Sequence, residues 1–228
     1  MLATKGKSVV LCIAPHPDDE TLGCGGAILR HIALGHEVHW LIMTSIDEEQ
    51  GFSLERVESR ASEIRQVGNE YGFSKIHLAG FPTTQLDTLP KSDVVNEVSQ
   101  VMRQVQPDTI YVPYRNDVHS DHAVVFDAAI SCSKSFRYPS IKRIYAYETL
   151  SETEFGLRPD DPGFRPNLFV DISVWLEKKI SIMKLFKGEM AAFPFPRSEE
   201  CIRAQAMLRG SLAGVSAAEA FMILREIR

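Results

Sequence analysis

Long apolar runs are scarce in this sequence. The run at residues 9–13 is far shorter than the roughly 20 residues that a membrane-spanning helix requires. It is also too short for the core of a secretory signal, and residues 1–7 bring only two lysines to it. We therefore expect a soluble, cytoplasmic protein with no membrane partner.

Cysteine is sparse, and its spacing is uninformative for metal binding. No C-x-x-C pair occurs among the four cysteines, which are Cys12, Cys24, Cys132 and Cys201. This spacing argues against a zinc ribbon and against a disulfide framework. We expect four small, buried side chains in a reducing compartment.

A strong excess of one charge is also missing. The chain has 25 basic and 30 acidic residues, a net charge of −5, which gives no electrostatic reason to expect nucleic acid or an acidic lipid surface. No Gly/Ser-rich or Pro-rich tract divides it, so a single domain over residues 1–228 is predicted. A small molecule or a glycan is the expected partner.

The apolar pattern alternates between strands and helices. Strands are predicted at residues 9–13, 38–44, 75–78, 109–112 and 143–147, with an edge strand at 168–172. Helices are predicted from the glycines at 23–26 to residue 34, at 55–71, at 94–105 and at 123–133, with a mostly helical tail from residue 173. This order predicts an α/β fold of the Rossmann-like, doubly wound type: a mainly parallel sheet with helices on both faces.

An imidazole and three carboxylates follow the first predicted strand, in the segment Pro15-His16-Pro17-Asp18-Asp19-Glu20. The prolines end the strand, which places the acidic residues on the loop past its carboxyl end, where ligands bind in open α/β sheets. The glycines at 23–26 also suggest a dinucleotide site. We reject it because the G-x-G-x-x-G spacing is absent and the neighbouring carboxylates would repel phosphate.

A second polar cluster, His119-Ser120-Asp121-His122, follows the predicted strand at 109–112. Because the carboxyl ends of parallel strands share one rim, the two clusters are expected to meet. His16, Asp19 and His122 then offer two imidazole nitrogens and a carboxylate, which suit a catalytic zinc ion. Fe²⁺, cobalt and manganese accept the same donors. Asp18 and His119 remain for chemistry, and Asp121 for orienting an imidazole.

At these residues the chain resembles the PIG-L/LmbE family of zinc-dependent de-N-acetylases. The likeness extends to the helix that carries Arg60 and Glu63 and to a segment near the end that begins at Arg209. The resemblance implies a role for each matching position: His16, Asp19 and His122 as zinc ligands, Asp18 as general base, His119 as oxyanion partner or proton donor, Asp121 and Glu20 as supporting residues, and Arg60 as a substrate contact.

The chain departs from the family pattern in one segment. Many members carry an aspartate that contacts a substrate hydroxyl where this chain reads Phe81-Pro82-Thr83-Thr84. Either Thr83 takes that place or the nearby Asp87 substitutes for it. The departure affects the identity of the sugar rather than the reaction.

The expected activity is zinc-dependent removal of acetate from an N-acetylated amino sugar, such as an N-acetylglucosamine glycoconjugate, sugar nucleotide or glycoside. Two alternatives stay open: a metal-dependent amidase acting on a non-sugar amide or thiol conjugate, and a metal-binding scaffold without turnover. Two loops that contain proline and aromatic residues, 155–169 and 193–197, are candidates for covering the site or for contacts in a homo-oligomer.

Overall fold

The computed structural model describes residues 7–228 and contains one seven-stranded sheet. The prediction of no targeting segment falls partly on residues 1–6, which lie outside the described residues. The strands are β1 Val9–Ala14, β2 Glu37–Ser45, β3 Lys75–Pro82, β4 Thr109–Pro113, β5 Arg143–Tyr147, β6 Leu168–Asp171 and β7 Ala218–Glu226. Their order in the sheet is β3-β2-β1-β4-β5-β7-β6. The first five strands of the chain pair in parallel, whereas β7 is antiparallel to both β5 and β6.

Helices cover both faces of the sheet. They are α1 Asp19–Ala33, α2 Leu54–Tyr71, α3 Lys91–Val105, α4 Ser120–Ser131, α5 Leu176–Met183 and α6 Glu199–Ala213. Alternate residues of β1 point to opposite faces: Val10 and Cys12 join a core with α1, α2, α5 and α6, and Leu11 and Ile13 join a core with α3 and α4. The predicted doubly wound α/β fold is confirmed.

Two predictions about secondary structure are wrong. Helix α1 begins at Asp19, not at the glycines, because Asp19 and Glu20 supply the acidic first turn that favours a helix start. The backbone leaves helical geometry at Cys24, and the Glu219 carboxylate accepts the N–H groups of Gly26 and Ala27 there, at 2.8 and 2.7 Å. Glu219 lies in β7, which occupies a tail that was predicted to be mostly helical.

Three of the four cysteines are buried as predicted, and Cys201 is not. All four are free thiols; Cys12, Cys24 and Cys132 are buried, and Cys201 is half-buried. Within residues 7–228, no helix combines the length and the apolar character that crossing a membrane requires.

Candidate active site

The two polar clusters meet at the carboxyl ends of β1 and β4. These strands are neighbours, and the chain leaves them for opposite faces of the sheet, through α1 and α4. Such a switch point is where ligands bind in doubly wound proteins. His16 lies in the loop after β1, Asp19 opens α1, and His122 lies in the first turn of α4.

His16, Asp19 and His122 converge around one carboxylate oxygen. The Oδ2 atom of Asp19 is 3.2 Å from Nδ1 of His16 and 3.4 Å from Nε2 of His122. One ligand atom from each of the three residues lies within 4.8 Å of the other two. The Nε2 atom of His122 is buried and has no hydrogen-bond partner among residues 7–228. A buried nitrogen without a partner, facing a carboxylate and a second imidazole, fits a divalent metal.

A second triplet, His16, His119 and Asp121, is similarly close. However, the carboxylate of Asp121 is already engaged: it accepts the backbone N–H groups of Thr84 and Leu86, at 2.8 and 3.1 Å. It also lies 3.0 Å from Nε2 of His16. Asp121 therefore orients the His16 ring so that Nδ1 faces Asp19, as carboxylates do behind metal-binding histidines.

Asp117 orients His122 in the same way, and the sequence analysis missed it. Its Oδ2 atom is 2.7 Å from Nδ1 of His122, which leaves Nε2 of that ring facing Asp19. The hydroxyl of Thr153 donates to the other oxygen of Asp117 over 2.6 Å. The signal was its position five residues before His122, in the same polar segment.

The protonation states of the three candidate ligands depend on one another. Burial disfavours the charged form of His16, but hydrogen bonds to Asp121 and Asp19 outweigh it and raise the pKa of His16 to about 9. Burial likewise lowers the pKa of His122, but the interactions with Asp19 and Asp117 outweigh burial and raise this pKa to about 10. Burial also opposes ionisation of Asp19, yet the two imidazoles hold its pKa well below the usual value. The pocket thus favours positive charge, which a divalent cation would supply by displacing protons.

Asp18 adjoins the candidate ligands without belonging to the triplet. Its backbone has φ 140°, a conformation that residues with a side chain rarely adopt. The Glu20 carboxylate accepts the Asp18 N–H over 3.1 Å, and the Arg197 guanidinium donates to Oδ2 of Asp18 over 2.8 Å. Burial and the charge of Asp19 raise the pKa of Asp18 to about 7, against the opposing charge of Arg197. Asp18 is therefore poised to exchange a proton near neutral pH.

His119 caps the start of α4 and lines the cavity. Its Nδ1 atom accepts the N–H of Asp121 over 3.2 Å, so the proton of the neutral ring lies on Nε2. Burial, with the charge of His16, lowers the pKa of His119 to about 4. His119 is thus a neutral donor in this arrangement.

Arg60 is 12% exposed, lies beside the loop between β1 and α1, and lines the same cavity. It donates to the carbonyl oxygen of Pro17 over 2.9 Å and pairs with Glu189. Glu189 also accepts a hydrogen bond from Arg197, at 3.2 Å. The sequence analysis missed Glu189 and named Arg197 only as the end of the 193–197 loop, a candidate for covering the site; both residues come from an irregular segment after α5, and Arg197 lines the cavity.

The cavity has a volume of about 710 Å³. His16, Asp18, Thr83, His119 and Arg60 all contribute to its lining. Asp87, the other candidate for the missing family aspartate, lies exposed in a short 3₁₀ turn at Leu86–Thr88 and is not part of the lining. The geometry thus favours Thr83 over Asp87.

The fold and the buried His-Asp-His donor set define a candidate metalloenzyme of the doubly wound α/β class. Residues 11–133 match the model of the PIG-L family, described as GlcNAc-PI de-N-acetylase, and the chain belongs to this family. The predicted family is confirmed, and with it the expectation of a hydrolase of the N-deacetylase class.

Relatives of the chain include deacetylases. It is 28% identical to the diacetylchitobiose deacetylase of Thermococcus kodakarensis, over 92% of this chain and 80% of the relative. It is 26% identical to the solved N,N'-diacetylchitobiose deacetylase of Pyrococcus horikoshii, with a TM-score of 0.76 and coverage of 95% and 83%. The hydratase GalB of Pseudomonas putida KT2440 shares the fold, with 20% identity, a TM-score of 0.74 and 98% coverage of both chains.

Proposed function

We propose that this protein is a zinc-dependent hydrolase that removes acetate from an N-acetylated amino sugar of the N-acetylglucosamine type. One observation carries the proposal: the buried donor set His16, Asp19 and His122 lies next to Asp18, a carboxylate left free for proton transfer. Family membership and the deacetylase relatives support the same reaction.

Zinc held by His16, Asp19 and His122 would supply Lewis acidity that polarises the amide carbonyl and acidifies water. Asp18 accepts a proton from the attacking water as its oxygen bonds to the acetyl carbon. Nε2–H of His119 donates a hydrogen bond to the oxyanion of the tetrahedral intermediate, an interaction typically worth a few kcal/mol. Asp18 then returns the proton to the departing nitrogen as the C–N bond breaks, which yields acetate and a free amine.

Each partner residue has a defined part in this mechanism. Asp121 and Asp117 keep one nitrogen of His16 and of His122 turned toward the metal. Glu20 fixes the Asp18 backbone through its N–H. Arg60 and Thr83 line the cavity beside these groups and are the proposed contacts for sugar hydroxyls.

The proposal is tested by acetate release from a panel of N-acetylglucosaminides and unrelated N-acyl amides. The protein is stripped of metal and reconstituted with zinc or with Fe²⁺, and zinc-loaded Asp18→Asn is the control. We expect release from the sugars with zinc, and its loss in the control. Release only from non-sugar amides would favour the alternative amidase, and one bound zinc without any release would favour a metal-binding scaffold.

A further inference from the structure

The cavity continues well beyond the metal centre along an apolar trough. We define the trough by six lining residues: Phe52, Val57, Ala61, Ile64, Ile76 and Leu78. We propose that this trough binds an apolar aglycone, so that the substrate is an amphipathic N-acetylhexosaminide with a hydrocarbon group attached to the sugar. The inference rests on the proposed function, because it deepens the description of the same site.

The trough exists because helix α2 covers only part of edge strand β3. Ile76 and Leu78 are two residues apart in β3, so their side chains lie on the same face of the strand. Gly68 of α2 lets Ile76 pack closely, since a Cβ atom at residue 68 would lie 2.4 Å from Cδ1 of Ile76. Leu78 receives no such cover and remains 63% exposed. Gly80, two residues further, adds no side chain, so the floor stays open toward the metal site.

The direction of β3 gives the trough its length. The strand runs from Ile76 toward Thr83, and Thr83 lines the cavity near the candidate metal ligands. The four steps from Ile76 to Gly80 span roughly 13 Å at about 3.3 Å per residue. A sugar placed at Thr83 would thus have an extended apolar surface behind it.

The chemistry of the trough favours hydrocarbon over a second sugar. The arginines that line the cavity on the side of the metal centre are all engaged by carboxylates: Arg56 and Arg60 by Glu63 and Glu189, and Arg197 by Asp18, Glu152 and Glu189. Arg65 contributes to the lining from an exposed position on α2. A sugar lying over these apolar side chains would lose hydrogen bonds to water without replacing them, whereas a hydrocarbon chain gains from leaving water.

The first test measures binding without turnover. Calorimetry gives the dissociation constants of the methyl, butyl and octyl β-glycosides of N-acetylglucosamine for zinc-loaded Asp18→Asn protein. Full burial of one methylene group tightens binding by roughly fourfold. In a half-open trough each methylene group contributes about half of that free energy, which tightens binding by roughly twofold. We therefore expect the octyl glycoside to bind at least tenfold more tightly than the methyl glycoside. Equal constants for all three would overturn the proposal.

A matched pair of variants locates the effect. Leu78→Gln and Leu34→Gln each replace a leucine that is about equally exposed, at 63% and 57%, but only Leu78 lines the cavity. Both are made in the Asp18→Asn protein, and the readout is the octyl-to-methyl affinity ratio within each variant, which is insensitive to partial misfolding. We expect the ratio to fall severalfold in Leu78→Gln and to persist in Leu34→Gln. An unchanged ratio in Leu78→Gln would overturn the assignment.

Two further arms separate this inference from the proposed function and from other occupants. Tighter binding of the octyl glycoside without acetate release by wild-type enzyme would uphold the trough and contradict the deacetylase. Tighter binding of N-octanoylglucosamine, with no gain from alkyl glycosides, would assign the trough to an acyl chain and overturn the proposal. The proposal would also be overturned if sedimentation showed that Leu78→Gln dissociates an oligomer while glycoside binding is unaffected. In that case a second copy of the chain would cover the trough.

Discussion

Arg197 donates through Nη1 to Oδ2 of Asp18 over 2.8 Å, although the two residues are 179 positions apart in the chain. The same guanidinium donates to Ser151 and Glu152, at 2.7 and 3.0 Å, which fixes it on its other side. Asp18 has a strained backbone with φ 140°, a conformation that costs on the order of 1–3 kcal/mol. Arg197 thus holds the proposed base in one position beside the candidate metal ligands.

Replacing Arg197 with methionine should lower kcat for acetate release by about 10- to 100-fold, because a displaced base transfers protons poorly. Zinc content should stay at the wild-type level, since the Arg197 guanidinium bonds to none of the candidate ligands. Steady-state kinetics and metal analysis of the same preparation check both statements.

Added guanidinium should restore part of the activity of Arg197→Ala, which a purely structural role would not explain. Arg203→Met is the control, because Arg203 also forms ion pairs, with Glu177 and Glu199, but away from the cavity lining. A loss of kcat in the control as large as in Arg197→Met would remove the support for a positioning role.

Asp117→Asn should weaken zinc binding by about 10- to 100-fold, because carboxylates behind metal-binding histidines fix the ring orientation and strengthen the ligand. Competition with a chromogenic chelator measures the affinity. Asp127→Asn is the matched control, since Asp127 pairs with Arg115 on the exposed side of α4. Equal zinc affinity in wild type and Asp117→Asn would contradict the proposed role of the His122 contact.

Zinc binding should release about two protons per chain at pH 7. The pKa values of His16 and His122 in the metal-free chain, about 9 and about 10, lie above the ordinary value, so both rings are charged at pH 7 and must be neutral to ligate. Calorimetry in buffers of different ionisation enthalpy counts the protons. For the same reason, metal-free protein should lose stability as pH rises from about 6.5, the ordinary histidine value, to about 10, where both rings have lost their protons. Zinc binding without proton release would contradict the charge state inferred here.

Glu219→Gln should lower the free energy of unfolding by about 3 kcal/mol. The carboxylate of Glu219 is 2.7 Å from Nζ of Lys179, both side chains are only 4% exposed, and removing one charge leaves the other buried without its partner. Urea denaturation of metal-free protein measures the change. Glu226→Gln is the control in the same strand, where the partner Arg228 is 84% exposed, and should change stability by less than about 1 kcal/mol.

The sequence predicts the centre of the site well and its surroundings poorly. His16 and Asp19 come soon after buried strand β1, and His122 comes after buried strand β4 at the start of α4. Parallel strands bring their carboxyl ends together, so local patterns suffice to place the three residues on one rim. Arg197 and Glu189 come from an irregular segment, and only tertiary packing brings them to Asp18 and Arg60. No periodicity marks such contacts in advance.

Strand β7 shows a different reason for failure. Its sequence, Ala218–Glu226, is rich in alanine, glutamate, methionine and leucine, which favour helices when taken alone. In the fold it pairs with β5 on one side and β6 on the other, and these ladders override the local preference. The predicted edge strand is confirmed as β6. Strand β7, which joins β6 to the rest of the sheet, could not be predicted from its composition.

The most direct test of the central claim is hydrolysis of an N-acetylglucosamine glycoside in ¹⁸O-labelled water by zinc-loaded protein, with mass analysis of both products. The mechanism predicts one free amine for each acetate, one labelled oxygen in the acetate, and loss of both products in zinc-loaded Asp18→Asn. Acetate without label, or equal turnover by Asp18→Asn, would contradict the claim that Asp18 activates water for attack on the amide.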